Sequence, residues 1–261
     1  MRRPLYGQLV PYYEVVEGRD WQSEIGLIAS ILREHKSKFI VDLGCGTGYH
    51  VRALTTLGFH ATGVDISKYN ILFARKKAKE ENIQATYVVG SYYESRPDRN
   101  YDAALCLNWS IPVKDDEVKR FLRNAHSILE PGGLLIFDFE RISQIVWGDV
   151  GKAITESWDM GRKLIVRVSC GQLVSNTLYS ADVYIVYSKT HKQILPNERS
   201  RYEAPRSSKH VQVFLDTSCV RFFSMSEIKQ FAKHSGFKLI ARFALPRNKY
   251  MRDYVVLQKV V

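Results

Sequence analysis

The hydrophobic pattern of the chain changes near residue 140. Before that point, apolar runs of strand length alternate with stretches in which apolar residues recur at helical spacing. The pattern predicts strands over 38–43, 60–64, 85–89, 101–107 and 134–139, and helices over 21–35, 49–57, 68–81 and 115–129. Buried strands that alternate with helices are typical of a parallel sheet. Residues 5–21 are aromatic and show no regular period.

After residue 140 the period becomes two. Residues 163–170, 173–188 and 209–215 alternate apolar and polar positions, which predicts antiparallel strands with one solvated face. A helix over 226–234 and strands over 238–244 and 254–260 follow. The β segment, about 141–222, is therefore an insertion before the last helix.

The first predicted strand ends in an acid, Asp42, and then in glycines at 44, 46 and 48. The second strand ends in another acid, Asp65. A strand, a glycine turn, a helix, a strand and a terminal acid form half of a nucleotide-binding α/β fold. Glycines let the backbone approach a ligand closely, and a carboxylate at the next strand can accept hydrogen bonds from ribose hydroxyls.

The glycine spacing indicates which nucleotide binds. A dinucleotide site requires Gly-x-Gly-x-x-Gly/Ala, and here Tyr49 occupies the last position, where it would crowd a pyrophosphate. Asp42 would repel phosphate but suits a cationic or amino-bearing ligand. A dinucleotide cofactor is therefore disfavoured.

This loop resembles that of class I S-adenosylmethionine (SAM)-dependent methyltransferases. Further blocks follow in that family's order, at 63–67, 87–91, 101–106, 129–136 and 254–259. The resemblance implies a Rossmann-like, seven-stranded, mostly parallel sheet with helices on both faces. It also implies a SAM-binding core with an N-terminal lid (1–140), an antiparallel β insertion over the active site (141–222) and a segment that completes the core (223–261). A β insertion at this place is similar to the small-molecule branch.

The family pattern carries over to individual cofactor residues. It implies that the backbone of Gly44, Cys45 and Gly46 passes the methionine moiety, that Asp65 binds the ribose and that Ile66 packs on the adenine. A plain packing role for Ile66 stays open. The full set of expected cofactor-binding residues is Tyr12, Trp21, Asp42, Gly44, Cys45, Gly46, Asp65, Ile66, Ser91, Tyr92 and Leu107.

Two places depart from the family pattern. Ser91 stands where the family commonly has an aspartate that accepts the adenine amino group, so Ser91 and the Tyr92 backbone are the substitutes. The chain also lacks Asn-Pro-Pro-Tyr after strand four, which disfavours methylation of planar amide or exocyclic nitrogens. The catalytic residue is unknown; Tyr13, Asn108 and His210 are weak candidates, each with an ordinary structural role as the alternative.

Charge and cysteines narrow the function classes. Residues 1–140 hold 18 Lys+Arg and 18 Asp+Glu, whereas residues 141–261 hold 20 and 9, so the second part carries the whole net charge of +11. Arg199, Arg201, Arg206 and Lys209 suggest a basic flap that receives an anionic substrate, with solubility as the alternative reading. The four scattered cysteines argue against a metal site and for a reducing cytoplasm. No apolar run predicts a membrane span or a signal peptide.

The favoured hypothesis is a methyltransferase that acts on a nitrogen or an oxygen of a small molecule. The basic second part keeps open an enzyme that acts on RNA or protein, although no RNA-binding module is appended. A SAM-binding protein without turnover is the third hypothesis. The sequence leaves the methyl acceptor and the oligomeric state undetermined.

Overall fold

The computed structural model describes residues 4–17, 21–94, 100–108, 111–141, 150–188, 211–247 and 250–260. The α-helices are α1 (Tyr13–Glu17), α2 (Trp21–Glu34), α3 (Tyr49–Thr56), α4 (Lys68–Glu80), α5 (Asp115–Ile128) and α6 (Met225–His234). The strands are β1 (Phe39–Leu43), β2 (His60–Asp65), β3 (Thr86–Val89), β4 (Tyr101–Cys106), β5 (Leu129–Arg141), β6 (Ala153–Asp159), β7 (Lys163–Val174), β8 (Thr177–Ser188), β9 (Val211–Phe223), β10 (Phe237–Arg247) and β11 (Tyr250–Lys259).

The core sheet has the strand order β3-β2-β1-β4-β5-β11-β10. The first five strands pair in parallel, β11 is antiparallel to β5, and β10 is antiparallel to β11. The predicted seven-stranded, mostly parallel sheet is therefore confirmed. The order reverses beside β1, between β2 and β4, which is where an open α/β sheet has its ligand crevice.

Helices cover both faces of this sheet, as predicted. Successive residues of β1 point to opposite faces of the sheet. Val41 belongs to the apolar cluster under α5 and α6, whereas Ile40 belongs to the cluster under α2, α3 and α4. Leu135 and Ile136 of β5 divide in the same way. Burial on both sides explains why these strands are continuous apolar runs rather than alternating patterns.

Several boundaries differ from the sequence prediction. The segment 173–188 is not one strand, because a turn with Ser175 at φ +55° separates β7 from β8. Strand β6 was missed, since its outward positions are as polar as a loop. The N-terminal segment is not irregular: it contains α1 and two short 3-10 helices, Pro4–Tyr6 and Val10–Tyr12. These helices are too short to show a period in the sequence.

The chain divides into two compact units. One unit contains β6, β7, β8 and β9 up to Cys219, which form an antiparallel sheet in the order β6-β7-β8-β9. The other unit contains the remaining elements, including the end of β9, where Phe222 pairs with Glu140 of β5. The role of the insertion as a roof stays a prediction. Among the described residues, no helix is long and apolar enough to cross a membrane.

Gly48 and Gly58 provide a matched test of core packing around the first helix after β1. Both have positive φ, +75° and +92°, so alanine is strained at either position by about 1–2 kcal/mol. A Cβ at Gly48 would also lie 2.5 Å from Tyr87 Cε1 and 2.8 Å from Ala74 Cβ, whereas one at Gly58 meets nothing within 4 Å. We expect Gly48→Ala to lower the free energy of unfolding by about 1–3 kcal/mol more than Gly58→Ala, measured by urea denaturation. Equal losses would contradict the close packing at Gly48.

Candidate cofactor site and active site

The glycine loop between β1 and α3 is fixed against the end of β2. The amides of Gly44 and Cys45 both donate to the carbonyl oxygen of Val64, at 2.7 and 3.0 Å, and the Gly48 amide donates to the Cys45 carbonyl at 2.9 Å. Gly44, Gly46 and Gly48 all have positive φ, which explains the three alternate glycines. A Cβ added at Gly46 would meet no atom within 4 Å, so open space lies beside the loop there.

Asp65 connects this loop to the end of β2. Its carboxylate accepts hydrogen bonds from the Gly46 amide at 2.9 Å, the Ser67 amide at 2.7 Å and the Asn70 side chain at 3.3 Å. Burial raises the pKa of Asp65 in spite of these donors. A carboxylate offers about four acceptor positions, so these donors do not exhaust it. The structure thus orients Asp65 beside the glycine loop and leaves it capacity for a ligand.

Asp42 is the second acid beside the loop. It is buried, and its Oδ2 accepts no hydrogen bond from the part of the chain that the structure describes. Burial, opposed by His50 and reinforced by Asp65, raises the pKa of Asp42 to about 6. Burial, then the charges of Asp42 and Asp65, also raise the pKa of the Cys45 thiol, which favours its protonated form. The site therefore holds an under-satisfied carboxylate that a cationic group would stabilise.

A buried hydrogen-bonded chain joins three elements behind Asp42. Tyr254 of β11 donates its hydroxyl to Glu24 of α2 at 2.7 Å, and the other Glu24 oxygen lies 3.1 Å from His50 Nε2 of α3. Burial, then the charges of Asp138 and Glu24, raise the pKa of Tyr254, so the phenol keeps its proton. Glu24 is thereby held by two partners, in contrast to Asp42 Oδ2.

The N-terminal helices lie beside the same strand ends. Glu14 of α1 accepts hydrogen bonds from the Thr47 hydroxyl at 2.7 Å and from Arg52 at 3.1 Å. The Tyr6 carbonyl accepts from the Ser67 hydroxyl at 2.8 Å. Both contacts join the segment to residues that follow β1 or β2. The role of this segment as a lid over the cofactor stays a prediction.

The three aromatic residues Tyr12, Tyr13 and Trp21 lie in different parts of the N-terminal helices. Trp21 begins α2, and its ring lies 4.7 Å from that of Tyr49 and 5.4 Å from that of His50. Tyr13 begins α1, with its ring 6.4 Å from that of Tyr6, and Tyr12 is half-buried at the end of a 3-10 helix. Trp21 therefore packs directly over the first turn of α3, next to the glycine loop.

The residues after β2 and β3 are joined by hydrogen bonds and include one exposed apolar side chain. Ile66 is 76% exposed, which makes its side chain available to a planar ligand. The Gly90 amide donates to the Asp65 carbonyl at 3.0 Å, and Ser91 Oγ accepts from the Tyr93 amide at 3.2 Å. The Tyr92 ring packs edge-on against Phe121 at 5.6 Å. If Tyr92 contacts a cofactor, it does so through its backbone.

At the ends of β4 and β5 a buried arginine organises polar side chains. Arg252 of β11, 1% exposed, forms an ion pair with Asp138, contacts Glu140 at 3.2 Å and donates to Asn108 Oδ1 at 3.2 Å. Asn108 has φ +66° and follows the buried Leu107 at the end of β4. Because Arg252 occupies the amide oxygen, the Asn108 amide nitrogen is the group left to donate to another partner.

Some predicted positions lie outside the described residues. They include His210, the segment after Asn108 and the basic set Arg199, Arg201, Arg206 and Lys209. Within the ranges that the structure describes, no three His, Cys, Asp or Glu side chains gather as metal ligands would.

Sequence reasoning missed His50, Tyr254 and Arg252. His50 is two residues beyond Gly48, Tyr254 begins the predicted strand 254–260, and Arg252 lies just before that predicted strand. The structure extends this strand back to Tyr250, so Arg252 is an arginine within a strand, a position where a buried charge requires a partner.

The Arg252 ion pair predicts a large stability effect. Arg252→Met would leave Asp138, which is fully buried, without its cation, and we expect a loss of about 3–5 kcal/mol in the free energy of unfolding. Arg242→Met is the matched control on β10. Its side chain is 38% exposed, and its partner Asp253 keeps Arg141, so the expected loss is about 1 kcal/mol or less.

Urea denaturation measures both variants. Adding Asp138→Asn to Arg252→Met should recover part of the loss, because no unpaired charge then remains. A double variant as unstable as the single one would contradict the assignment.

Comparisons with known proteins agree with this geometry. A family model described as a methyltransferase domain matches residues 40–133. A ubiquinone biosynthesis O-methyltransferase from Rickettsia akari is 32% identical over 110 residues, which are 42% of this chain and 43% of that protein. The chain thus spans less than half the length of that relative.

Solved structures match the whole chain at lower identity. A sugar N-methyltransferase from Streptoalloteichus is 17% identical, with a TM-score of 0.77 over 100% of this chain and 95% of the other. An amino pentose methyltransferase from Micromonospora echinaspora, solved with SAM bound, is 16% identical, with a TM-score of 0.74 over 100% of both chains. Residues 40–133 therefore match a methyltransferase domain, and the whole chain shares the fold of these solved SAM-dependent methyltransferases.

Proposed function

We propose that this protein is a SAM-dependent methyltransferase that transfers a methyl group to a nitrogen or an oxygen of a small molecule. The observation that carries the proposal is the arrangement at the strand ends. A glycine loop with open space at Gly46 lies between Asp65, which keeps acceptor capacity, and Asp42, whose Oδ2 has no partner among the described residues.

The residues present fit SAM in charge as well as in space. SAM carries a sulfonium and an ammonium group, and the buried acids Asp42, Asp65, Glu24 and Asp138 lie close enough that three of them raise the pKa of Asp42. Asp65 is oriented to accept from ribose hydroxyls, and the exposed Ile66 is available to an adenine face. Trp21 and Tyr49 supply aromatic faces next to the loop, which suit a cation.

Bound SAM would supply a methyl group that is already activated by its sulfonium, so the protein's part is to orient the acceptor and exclude water. The acceptor nitrogen or oxygen would take this methyl group and release its own proton to solvent, and the chain's part is to hold that acceptor in line and dry. Asn108, held by Arg252, presents an amide donor at the end of β4 that can orient the acceptor. An amine acceptor that arrives neutral needs no strong base, which is consistent with the lack of an evident catalytic base among the described residues.

The small-molecule class rests on the insertion and on the similar proteins. The two structures named above cover the whole chain, insertion included, and one is a sugar N-methyltransferase. The curated relative is an O-methyltransferase, so both acceptor atoms remain in the proposal. The net charge of +11 makes an anionic substrate the favoured variant, and RNA or protein substrates remain the less favoured alternatives.

We also infer a reducing compartment, the cytoplasm, for this protein. All four cysteines are free, and Cys170 and Cys219 are exposed without forming a disulfide.

The first test concerns Asp65. We expect Asp65→Ala to weaken SAM binding by about 2 kcal/mol, because charge-assisted hydrogen bonds to the ribose are lost. Isothermal calorimetry measures the effect, with the exposed helix residue Asp116→Ala as a control that should bind as the wild type does. NAD should produce no thermal shift at millimolar concentration. Binding within twofold of the wild type, or a shift with NAD and none with SAM, would contradict the proposal.

The second test uses the opposite effects of Asp42 on stability and binding. Its folded pKa of about 6 exceeds the unfolded value, so the folded state binds more protons than the unfolded state between about pH 4 and pH 6. Stability from this group therefore falls as the pH rises through that window. We expect Asp42→Asn to raise the free energy of unfolding by about 2–3 kcal/mol at pH 8, with a gain that vanishes near pH 4.

The same Asp42→Asn variant should bind SAM at least tenfold more weakly, because the carboxylate that faces a cation is gone. Asp102→Asn is the control for the stability effect. The Asp102 carboxylate accepts hydrogen bonds from the Lys38 and Phe39 amides at 2.7 and 2.8 Å, so this change should lower the free energy of unfolding. A stabilised Asp42→Asn variant that keeps full SAM affinity would show that Asp42 does not face the ligand.

A further inference from the structure

Helix α4 is a basic element in a part of the chain that is otherwise acidic. Residues 68–80 contain five Lys and Arg residues and one Glu, which gives α4 a net charge of +4. Residues 1–140 contain 18 Lys+Arg and 18 Asp+Glu, so the remainder of that part has 13 and 17, a net charge of −4. The excess of positive charge is therefore concentrated on one helix.

One face of α4 carries most of this charge. Asn70, Ile71, Ala74 and Ala78 are buried against the core, and they define the inner side of the helix. At 3.6 residues per turn, six exposed residues fall within about 120° of the outer side. These six, which we call the α4 face, are Lys68, Tyr69, Leu72, Arg75, Lys76 and Lys79.

The cations of the α4 face are only partly neutralised. Lys76 lies 3.8 Å from a carboxylate oxygen of Glu80. Arg75 donates to the Tyr87 carbonyl oxygen at 2.6 Å, and this neutral acceptor leaves the guanidinium charge in place. No acid among the described residues pairs with either of the two remaining lysines of the face. The face therefore presents a positive potential to any partner.

A groove of about 500 Å³ lies at the C-terminal end of the α4 face. Arg75 and Lys79 line it from the helix, and Asn82 and Gln84 line it from the turn that leads to β3. Guanidinium, ammonium and amide groups can all donate hydrogen bonds, and the described lining contains no acid. The groove therefore suits a phosphate group.

Two large apolar side chains lie among these cations. Tyr69 and Leu72 are each 52% exposed, and positions i and i+3 are neighbours on a helix surface. A nucleic acid backbone requires cations but gains little from an aliphatic side chain. A membrane interface accommodates both types, because its acyl boundary takes up leucine and tyrosine side chains while its headgroups attract lysine and arginine. The combination favours a lipid surface over nucleic acid.

We propose that the α4 face docks on a membrane surface that contains anionic phospholipid. In this arrangement α4, about 20 Å long, lies parallel to the surface, and Tyr69 and Leu72 enter the boundary between headgroups and acyl chains. The lysine stems follow them while the ammonium groups stay among the phosphates. The groove receives one lipid phosphate. Such peripheral docking needs no membrane-spanning helix, and the inference does not depend on methyl transfer.

Vesicle binding tests the docking surface directly. Sucrose-loaded vesicles of phosphatidylcholine with about one third phosphatidylglycerol are sedimented with the purified chain, and vesicles of pure phosphatidylcholine are the reference. We expect binding to the anionic vesicles to be about tenfold tighter, or more, than binding to the reference. The affinity should fall as salt rises from about 0.05 to about 0.5 M, because salt screens the attraction.

A pair of charge variants locates the contact. The whole chain has a net charge of +11, so attraction to an anionic vesicle does not by itself identify the surface. We expect the double variant Lys68→Gln/Lys79→Gln to bind about tenfold more weakly than the wild type. The matched control, Lys119→Gln/Arg123→Gln, removes the same charge from exposed positions of α5 and should bind within about twofold of the wild type.

A pair of leucine variants tests the apolar part of the contact. We expect Leu72→Ser to weaken vesicle binding about fivefold, because less apolar surface then leaves water on docking. Leu57→Ser, at a position 42% exposed just after α3, is the control and should bind as the wild type does. Circular dichroism must show that all four variants are folded.

The wild type gives a readout that does not depend on any variant. N-hydroxysuccinimidyl acetate acetylates exposed lysines, and mass spectrometry of the peptides identifies the sites. We expect Lys68 and Lys79 to react about fivefold more slowly, or less readily still, when anionic vesicles are present. Lys119, which is exposed on α5, should react at an unchanged rate.

Three results would overturn the proposal. One is a chain that does not bind anionic vesicles at low salt, whether or not it binds an RNA or DNA oligonucleotide through the same lysines. Another is an equal loss of vesicle binding in the two charge variants, or in the two leucine variants. The third is acetylation of Lys68 and Lys79 that vesicles leave unchanged.

Discussion

The core structure depends on burying negative charge at one edge of a parallel sheet. Four acids, Glu24, Asp42, Asp65 and Asp138, lie at or behind the carboxyl ends of the strands and are all buried. Each buried carboxylate requires a partner. Asp138 has Arg252, Glu24 has Tyr254 and His50, and Asp65 has backbone amides. Asp42 Oδ2 accepts no hydrogen bond from the described residues, and a cationic ligand would give it a partner.

The conformation of the glycine loop determines where the acids Asp42 and Asp65 lie. Positive φ at Gly44, Gly46 and Gly48 turns the chain so that the Gly46 amide reaches Asp65. The same turn brings Asp42 near Asp65, and the repulsion between them contributes to the raised pKa of Asp42. A site prepared for a cation is therefore strained in the free protein, which is a common relation between stability and function.

The sequence by itself determined the alternation of strands and helices, the glycine loop and the acid at the end of the second strand. These features are local, since a buried parallel strand needs an apolar run and a tight turn at positive φ needs glycine. The sequence therefore predicted β1 to β4 within one residue at each end and the helices nearly as well. It failed at the split between β7 and β8 and at β6, where a half-polar strand and a loop have similar composition.

Only the tertiary structure decided which polar residues meet. Arg252 and Asn108 are 144 positions apart, and Tyr254 and Glu24 are 230 apart, so no local period connects them. A period of two shows that a strand has two faces, but not which of them is buried, because burial depends on residues that are distant along the chain.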